Sequence, residues 1–326
     1  RVLFRSANGP CVLFLAMELT AHLRAIAARE QITMVELRPL SGLARSDRDA
    51  IWPVWLRIPA ERRMHIAHAM AELAEDNVDL DFTEIFQWLL DDPDRMVRTS
   101  AVEGLWECDS SRVMRRLLTL LRDDPSDDVR AATATVLGRF AYLAEIEELD
   151  EDLGEELLAG LLTLLYDSSQ PLDVRRRAME SAGYFSASDD VHNLIEQAYA
   201  SDEQLLRESA LVAMGRSMLQ RWLPIVAREM ESPSPALRYE AVRAAGEMAD
   251  NALSLVPRVA KLCGDADTEV AMAAIWALGQ IGGDTAKRVL QQLSRSQDDA
   301  RRQAAVDALD ELALGDGFLG GDWRNN

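Results

Sequence analysis

The amino-acid sequence predicts an all-α protein, a right-handed α-solenoid of about eight stacked helix pairs. One sequence motif recurs, called here the phrase. It consists of an apolar anchor that is usually followed by Arg, a small residue four positions after the anchor, and Gly or an apolar residue nine positions after it. Its copies begin 30 to 45 residues apart, a period typical of two-helix units that cannot bury their apolar faces alone. A low aromatic content of 6% and abundant Ala, Leu and Glu also suit a helical chain.

Residues 1–16 are expected to be a non-native or disordered leader. The chain does not begin with Met, and the apolar run at 11–17 resembles a signal peptide but has no clear small-residue cleavage site. We therefore take Met17 as the expected natural start. No other stretch reaches the roughly 20 apolar residues needed to cross a bilayer, so the sequence predicts a soluble, cytoplasmic protein.

Residues 17–80 are predicted to form an amino-terminal helical cap. Residues 18–30 have the pattern of a leading helix, and residues 46–57 and 59–76 have that of a helix pair without the repeated phrase. Residues 81–91 supply the first helix of the first complete repeat, so the cap is expected to cover one end of the stack.

Residues 81–313 are predicted to hold the repeats. In each unit a first helix precedes a turn rich in Asp, Pro or Ser, which suits the free N–H groups at the start of the second helix. The second helix carries the phrase, whose anchor and positions +4, +5 and +8 share one buried face. Small residues at +4 and Gly at +9 are expected to let neighbouring helices approach closely, although Gly costs roughly 1 kcal/mol in helix propensity. The copies begin at Val97, Val129, Val174, Leu206, Leu237, Val270 and, in a weaker form, Ala300.

Two segments depart from the period. An insertion at 142–154, dense in Glu and Asp, is expected to be a lengthened helix or a solvated linker, since acidic runs generally face water. The alternative is a loop on a binding face. Residues 314–326 contain four Gly and no periodicity, so the sequence predicts a disordered tail.

The charge of the chain argues against nucleic-acid and membrane partners. The formal net charge is −20, and no basic stripe offsets it, so phosphate backbones and anionic lipids should be repelled. The three cysteines are far apart and form no CxxC motif, which suits a reducing compartment and argues against a disulfide framework. Both ends are suited to capping a stack, so a monomer is expected.

No catalytic site, metal site or cofactor is predicted. His65 and His68 share a helix face, but no HExxH motif or companion carboxylate accompanies them. Neither a nucleophile elbow nor a phosphate-binding Gly loop is recognisable. The Arg that follows the anchors is expected to pair with turn Asp residues and tie repeats together, and an anion-binding row is the alternative. These arginines are Arg98, Arg130, Arg175, Arg207, Arg238 and Arg301.

The candidate partner surface is the exposed face of the second helices, formed by positions +2, +3, +6 and +10 from each anchor. These positions should line the concave side, and their residues vary between repeats. Aromatic and Arg side chains are the usual energetic anchors of interfaces. The predicted partner-binding residues are Arg177, Tyr184, Tyr239, Arg243, Glu247 and Trp276. The alternative for Trp276 is simple packing between repeats.

The Asp turn and the Val-Arg, Ala and Leu-Gly positions together resemble HEAT repeats, especially the short form also seen in phycobilin lyase subunits, within an armadillo-like helical architecture. The resemblance covers residues 81–312. It implies a noncatalytic scaffold or adaptor that binds a protein or peptide, and its second implication is a lyase-like subunit with a role in bilin attachment. Deoxyhypusine hydroxylase, built on the same repeat, holds iron with His-Glu pairs, and none of the four histidines here precedes Glu.

Overall fold

The structure, a computed structural model, describes residues 10–29, 32–77 and 79–319. Within these ranges the regular structure is entirely helical, which confirms the predicted all-α solenoid class. The chain divides into two compact units, Arg1–Phe140 and Ala141–Asn326. No helix among the described residues is both long enough and apolar enough to cross a membrane.

The helices are numbered in chain order. The first eight are α1 (Pro10–Ala28), α2 (Met34–Leu37), α3 (Arg48–Trp55), α4 (Ala60–Asp76), α5 (Thr83–Leu89), α6 (Arg95–Glu103), α7 (Ser111–Asp123) and α8 (Asp127–Glu145). The next ten are α9 (Glu151–Tyr166), α10 (Leu172–Ala182), α11 (Asp189–Tyr199), α12 (Gln204–Arg216), α13 (Leu223–Glu229), α14 (Pro235–Glu247), α15 (Val256–Leu262), α16 (Thr268–Ile281), α17 (Gly283–Leu293) and α18 (Asp299–Leu319). Short 3-10 turns precede α3, α13 and α15.

The described helices from α3 to α18 form eight consecutive pairs, the number predicted. The even-numbered helix of each pair is the second helix, and second helices pack against one another: α4 against α6 in the first unit, and α10, α12, α14, α16 and α18 in succession in the second. Turn residues cap these helices as expected. The Asp94 carboxylate accepts the N–H groups of Met96 and Val97, and Asp267 accepts those of Glu269 and Val270.

The buried stripe of the repeats lies where the phrase predicts it. On α16 the anchor Val270 and positions +4, +5 and +8, which are Ala274, Ile275 and Leu278, are all buried. Ala241 at +4 of α14 is fully buried as well. Each second helix therefore seals the core between itself and its neighbours with one continuous apolar face.

Glycine at +9 brings successive second helices into main-chain contact. A Cβ atom added at Gly183 would lie 2.6 Å from the Ala213 Cα atom, and one added at Gly215 would lie 2.8 Å from the Ala244 Cα atom. Both distances are shorter than van der Waals contact permits, so only Gly fits at this spacing. The expected role of the +9 glycines is confirmed at both positions.

Of the six arginines expected to tie repeats together, Arg98 and Arg238 pair with the turn before the next second helix, whereas Arg130 and Arg301 lie against Asp127 and Asp298 of their own turns. Arg98 donates from Nε and Nη2 to the two carboxylate oxygens of Asp124 at 2.8 and 2.9 Å. Arg238 binds Asp265 in the same way at 2.8 Å. Arg63 on α4 binds Asp92 in the same way at 2.9 Å. We call the set of these bidentate pairs the arginine ladder and each pair a rung; each rung ties one repeat to the next.

The seventh copy of the phrase is offset by one residue from its predicted position. Arg302, not Arg301, occupies the ladder position, since its Nη1 donates to the Ser296 carbonyl at 3.0 Å as Arg238 Nη1 does to Ser232 at 2.9 Å. Ala305 is fully buried, whereas Ala304 is only half-buried. The copy that was predicted to begin at Ala300 therefore begins at Arg301.

The irregular segments are mostly absorbed into helices. The acidic insertion at 142–154 lengthens α8 to Glu145 and supplies the first turn of α9, with a five-residue turn between them. α1 begins at Pro10, inside the predicted leader, and α18 continues to Leu319, six residues into the predicted tail. Residues 1–9 and 320–326 lie outside the described residues, so the leader and tail predictions are untested there.

Candidate protein-binding surface

The six predicted partner-binding residues all lie on the second helices of the unit Ala141–Asn326. Arg177 is on α10 and Tyr184 directly follows that helix; Tyr239, Arg243 and Glu247 are on α14, and Trp276 is on α16. Each is half-buried. Because α10, α12, α14 and α16 pack in succession, these side chains occupy one continuous face. We call this face the second-helix surface.

Trp276 and Arg243 form the aromatic centre of the surface. The Arg243 Cζ atom lies 4.5 Å from the Trp276 ring centroid, a cation–π contact. The indole also covers Gly246, where an added Cβ would lie 2.4 Å from ring atom Cζ3. Trp276 thus packs between repeats and is still partly exposed to solvent. The structure is consistent with both interpretations of this residue, packing between repeats and contact with a partner.

Tyr184 lies in a second aromatic contact at the α10 end of the surface. The Arg216 Cζ atom is 5.0 Å from its ring centroid, and the Tyr142 ring meets it edge-on at 5.7 Å. Burial raises the pKa of the Tyr184 hydroxyl above its ordinary value. The ring is therefore fixed by neighbours from α8 and α12, and it forms a preordered contact point.

Arg177 is held by a hydrogen-bonded chain that joins α10 to α12. Its Nη1 donates to Glu180 Oε2 at 2.8 Å, and the other oxygen of Glu180 accepts from the buried Ser209 hydroxyl at 2.7 Å. Arg176 also donates to Ser209, at 3.2 Å. The Glu180 carboxylate is thus satisfied within the protein, whereas the outer side of the Arg177 guanidinium remains in solvent.

Two carboxylates of α14 lie in a poorly solvated part of the surface. The pKa of Glu240 is raised to about 7, chiefly by burial; the nearby carboxylates of Glu180, Glu208 and Glu247 contribute to this rise, and Arg243 opposes it. Burial likewise raises the pKa of Glu247, against the opposing effect of Arg216 and Arg243. Desolvation is the principal cause at both groups.

Glu247 and Tyr239 have unused binding capacity. Glu247 Oε1 accepts a long hydrogen bond of 3.5 Å from Arg243 Nη2, and its buried Oε2 atom has no hydrogen-bond partner among the described residues. Tyr239 is half-exposed and makes no hydrogen bond or ring contact in the part of the chain that the structure describes. Tyr239 can therefore contact an incoming ligand without breaking an internal contact, and Glu247 keeps one acceptor atom that no group of the described residues uses.

Sequence reasoning placed none of the α12 residues in the partner surface, although the same rule identifies them. Glu208 and Arg216 occupy positions +2 and +10 from the anchor Leu206; Arg216 contacts the predicted residue Tyr184, and Glu208 raises the pKa of Glu240. Glu240, at +3 on α14, is one of the exposed positions but is not among the six predicted residues. The rule that positions +2, +3, +6 and +10 from each anchor form the surface, called here the four-position rule, would have found Glu208, Arg216 and Glu240 if applied to every second helix.

The surface combines three guanidinium groups with four carboxylates and three half-buried aromatic rings. Such a mixture suits recognition of a polypeptide, because rings and arginines supply anchors and fixed charges define orientation. No three His, Cys, Asp or Glu side chains converge to hold a metal ion anywhere in the described ranges. His68 instead contacts Glu72 of its own helix at 3.5 Å.

Comparison with protein families gives three matches to one model. The model describes HEAT repeats and matches residues 60–138, 82–159 and 219–310, which together exceed half of the chain. No curated protein matches the sequence. The family match includes α14 and α16, which carry four of the six predicted residues.

Solved structures with similar folds differ strongly in sequence. A chain in the Kap95:Nup1 complex aligns with a TM-score of 0.50 and 15% identity, covering 91% of this chain and 46% of that one. The complex of CpcE and CpcF of phycocyanin lyase from Nostoc sp. PCC7120 gives a TM-score of 0.47 and 18% identity, covering 71% and 94%. Human deoxyhypusine hydroxylase gives 0.34 and 14%, covering 94% and 100%. At these identities the similarity concerns the fold alone.

Proposed function

Because this chain belongs to the HEAT-repeat family, we propose that it is a noncatalytic interaction scaffold whose second-helix surface binds a protein segment or peptide carrying basic side chains. The observation that carries the proposal is the pair of desolvated carboxylates, Glu240 and Glu247, beside the uncommitted ring of Tyr239. A Lys or Arg of the partner would add to the positive charge of Arg216 and Arg243, which does not offset the burial of these carboxylates.

The chemistry of the two glutamates favours a cationic ligand. A buried carboxylate is costly unless it is paired, and Glu247 Oε2 has no donor within the described residues. The formal net charge of −20 also attracts basic segments over long distances and increases their association rate at low salt. Partner affinity is therefore expected to increase as the pH rises through 7, where Glu240 becomes charged.

The aromatic groups favour binding with little loss of entropy. Trp276 is already fixed by Arg243 and Gly246, and Tyr184 is fixed by Arg216 and Tyr142. Groups that are ordered before binding do not lose rotamer freedom on association, which benefits affinity. Trp276 and Tyr239 are accordingly the proposed anchors.

A role in bilin attachment, the second implication of the sequence resemblance, is supported by the type of fold only. No residue of this chain corresponds by motif to a bilin-binding group. An absorbance spectrum recorded after incubation with a free bilin tests this alternative directly: a shifted and intensified band that survives gel filtration would favour it over the scaffold proposal.

The proposal is tested by affinity capture with the full chain. Wild type and the double variant Tyr239→Ala/Trp276→Ala are immobilised side by side, exposed to extract of the native host, and the retained proteins are identified by mass spectrometry. A basic segment of a retained protein is then synthesised, and its dissociation constant is measured by fluorescence anisotropy. The double variant is expected to bind at least tenfold more weakly, because interface aromatics typically contribute about 2 kcal/mol or more each.

Trp106→Ala is the matched control. Trp106 is 46% exposed and follows α6, outside the second-helix surface, so its removal should leave the dissociation constant within about twofold. Equal binding by wild type and the double variant, with circular dichroism showing both folded, would contradict the proposed surface. Equal loss of binding in the double variant and in Trp106→Ala would also contradict it, because the effect would then not depend on where the tryptophan lies.

A further inference from the structure

The arginine ladder is interrupted at Arg175. In the complete rung of the same unit, Arg238 lies four residues after the cap position and binds Asp265, which belongs to the turn before the next second helix. Arg175 occupies the same position on α10, but Ser201 stands where the ladder requires Asp. A serine hydroxyl carries no charge, so it cannot replace the bidentate carboxylate.

The turn itself is unchanged by this substitution. The Ser201 hydroxyl accepts the N–H of Glu203 at 3.1 Å, just as the Asp265 carboxylate accepts the N–H of Asp267 at 2.8 Å. Ser201 therefore forms the same turn hydrogen bond as Asp265, but it has no carboxylate to bind an Arg side chain. The missing carboxylate is a local feature of this rung and does not reflect a different backbone.

Arg175 is left without a partner among the described residues. Its side chain makes no hydrogen bond or ion pair with any of them, and its Nε atom is buried and unsatisfied. Asp167 is close enough for Arg175 to lower its pKa, but hydrogen bonds from Ser169 and Gln170 are the larger causes of that shift. Those two residues already occupy the Asp167 oxygens, at 2.6 to 3.0 Å.

A half-open cavity lies beside the unpaired guanidinium. Its volume is about 290 Å³, and both Arg175 and Ser201 line it. Leu165, Met179, Leu194, Ala198 and Leu206 also line it. The leucines, Met179 and Ala198 are almost completely buried, so the floor of the cavity is apolar. The volume is just below the range of roughly 300–1,000 Å³ of pockets for drug-sized ligands, which indicates a smaller ligand.

We propose that this cavity is a binding site for a carboxylate attached to a short apolar chain. The carboxylate takes the place of the missing ladder Asp and accepts two hydrogen bonds from Arg175, and the Ser201 hydroxyl lies in the same wall of the cavity. The apolar chain rests on Met179, Leu194 and Leu206. A single guanidinium with an apolar floor matches one negative charge on an apolar body better than it matches a multiply charged inorganic anion.

The next rung provides a matched comparison within the same protein. Arg207 on α12 occupies the same ladder position, and Ser232 stands in the following turn where the ladder requires Asp. The Nε atom of Arg207 is also buried without a hydrogen-bond partner in the described ranges. The residues that line the 290 Å³ cavity include neither Arg207 nor Ser232. A change at Ser232 therefore alters a ladder position of the same kind without filling the proposed site.

The test is a titration of the full chain with hexanoate, followed by chemical shifts of backbone amides on α10 to α12. Hexanoate is expected to shift the amides of Ser201 and Leu206 saturably, whereas hexanol and inorganic phosphate should bind at least tenfold more weakly. A peptide ending in Leu is compared with its carboxy-terminal amide. Binding of the free-acid peptide alone would identify a protein carboxy terminus as a source of the carboxylate, and binding of hexanoate alone would identify a free acid.

Three variants make the outcome decisive. Ser201→Asp should complete the rung, raise the melting temperature and weaken hexanoate at least tenfold, while Ser232→Asp should raise the melting temperature and leave hexanoate affinity unchanged. Arg175→Gln should also weaken hexanoate at least tenfold. Unchanged hexanoate affinity in Ser201→Asp and Arg175→Gln, or equal affinity for hexanol, would overturn the proposal. Equal affinity for phosphate would overturn the choice of a carboxylate.

Discussion

At the scale of single residues, Glu240 is a carboxyl group whose charge depends on pH near neutrality. Its pKa is raised from 4.5 to about 7, mainly by burial. A carboxyl group whose pKa is higher in the folded state binds its proton more tightly there than in the unfolded chain. Its contribution to stability is therefore complete below pH 4.5 and is lost as the pH rises to about 7.

Replacing Glu240 by Gln should stabilise the protein in a pH-dependent manner. At pH 8 the variant avoids a desolvated charge, and we expect its free energy of unfolding to exceed that of wild type by about 1–2 kcal/mol. At pH 4.5 the difference should nearly vanish, because the wild-type carboxyl is then neutral. Urea unfolding at both pH values measures this. Glu155→Gln, at an exposed position of α9, is the control and should change neither value.

The origin of this pKa could be predicted only in part from the sequence. The four-position rule places Glu180, Glu208, Glu240 and Glu247 on one helical face. The degree of burial of each carboxylate, and the internal hydrogen bonds that satisfy Glu180 but not Glu247 Oε2, depend on how neighbouring helices pack. Periodicity therefore locates the surface, and only three-dimensional packing assigns its electrostatics.

At the scale of helices, main-chain contact at the +9 glycines sets the distance between second helices. Gly215→Ala should destabilise the protein by about 1–3 kcal/mol, because the new Cβ would lie 2.8 Å from the Ala244 Cα atom. Helix propensity alone would favour Ala by roughly 1 kcal/mol, so packing and propensity predict opposite signs. Thermal unfolding of the variant decides between them.

Gly264→Ala is the control for this substitution. The only neighbour of an added Cβ there is the Lys261 carbonyl oxygen, at 3.6 Å, which is ordinary contact. Its melting temperature should equal or slightly exceed that of wild type. A stabilised Gly215→Ala variant would show that α12 and α14 can separate without cost, and Gly215 would then not set their spacing.

The second helices were predictable because their core positions repeat, and the exceptions have clear physical reasons. The rung at Arg63 was missed because Arg62 stands in the anchor position, so the phrase cannot be recognised there. The one-residue offset on α18 arises because alanines at 300, 304, 305 and 308 allow two registers. The interruption at Arg175 could not be foreseen either, since it depends on which turn residue meets which helix.

At the scale of the whole molecule, stability should be local, because each repeat packs mainly on its neighbours. Ala241→Glu places a charge at a fully buried position between α12, α14 and α16 and should cost more than about 4 kcal/mol there. Hydrogen exchange followed by mass spectrometry should show lost protection in α12 to α16, with much smaller changes in α4 to α7. Uniform loss of protection along the entire chain would contradict nearest-neighbour stability.

The main-chain contacts at Gly183 and Gly215 have a consequence for how such a protein can change during evolution. Peptide atoms set the spacing of α10, α12 and α14, and every amino-acid sequence has the same peptide atoms. Exposed side chains such as Tyr239 can therefore mutate without moving the helices that carry them. A lineage can exchange one partner for another by substitutions on this face alone, while the distances between its anchor points are inherited unchanged.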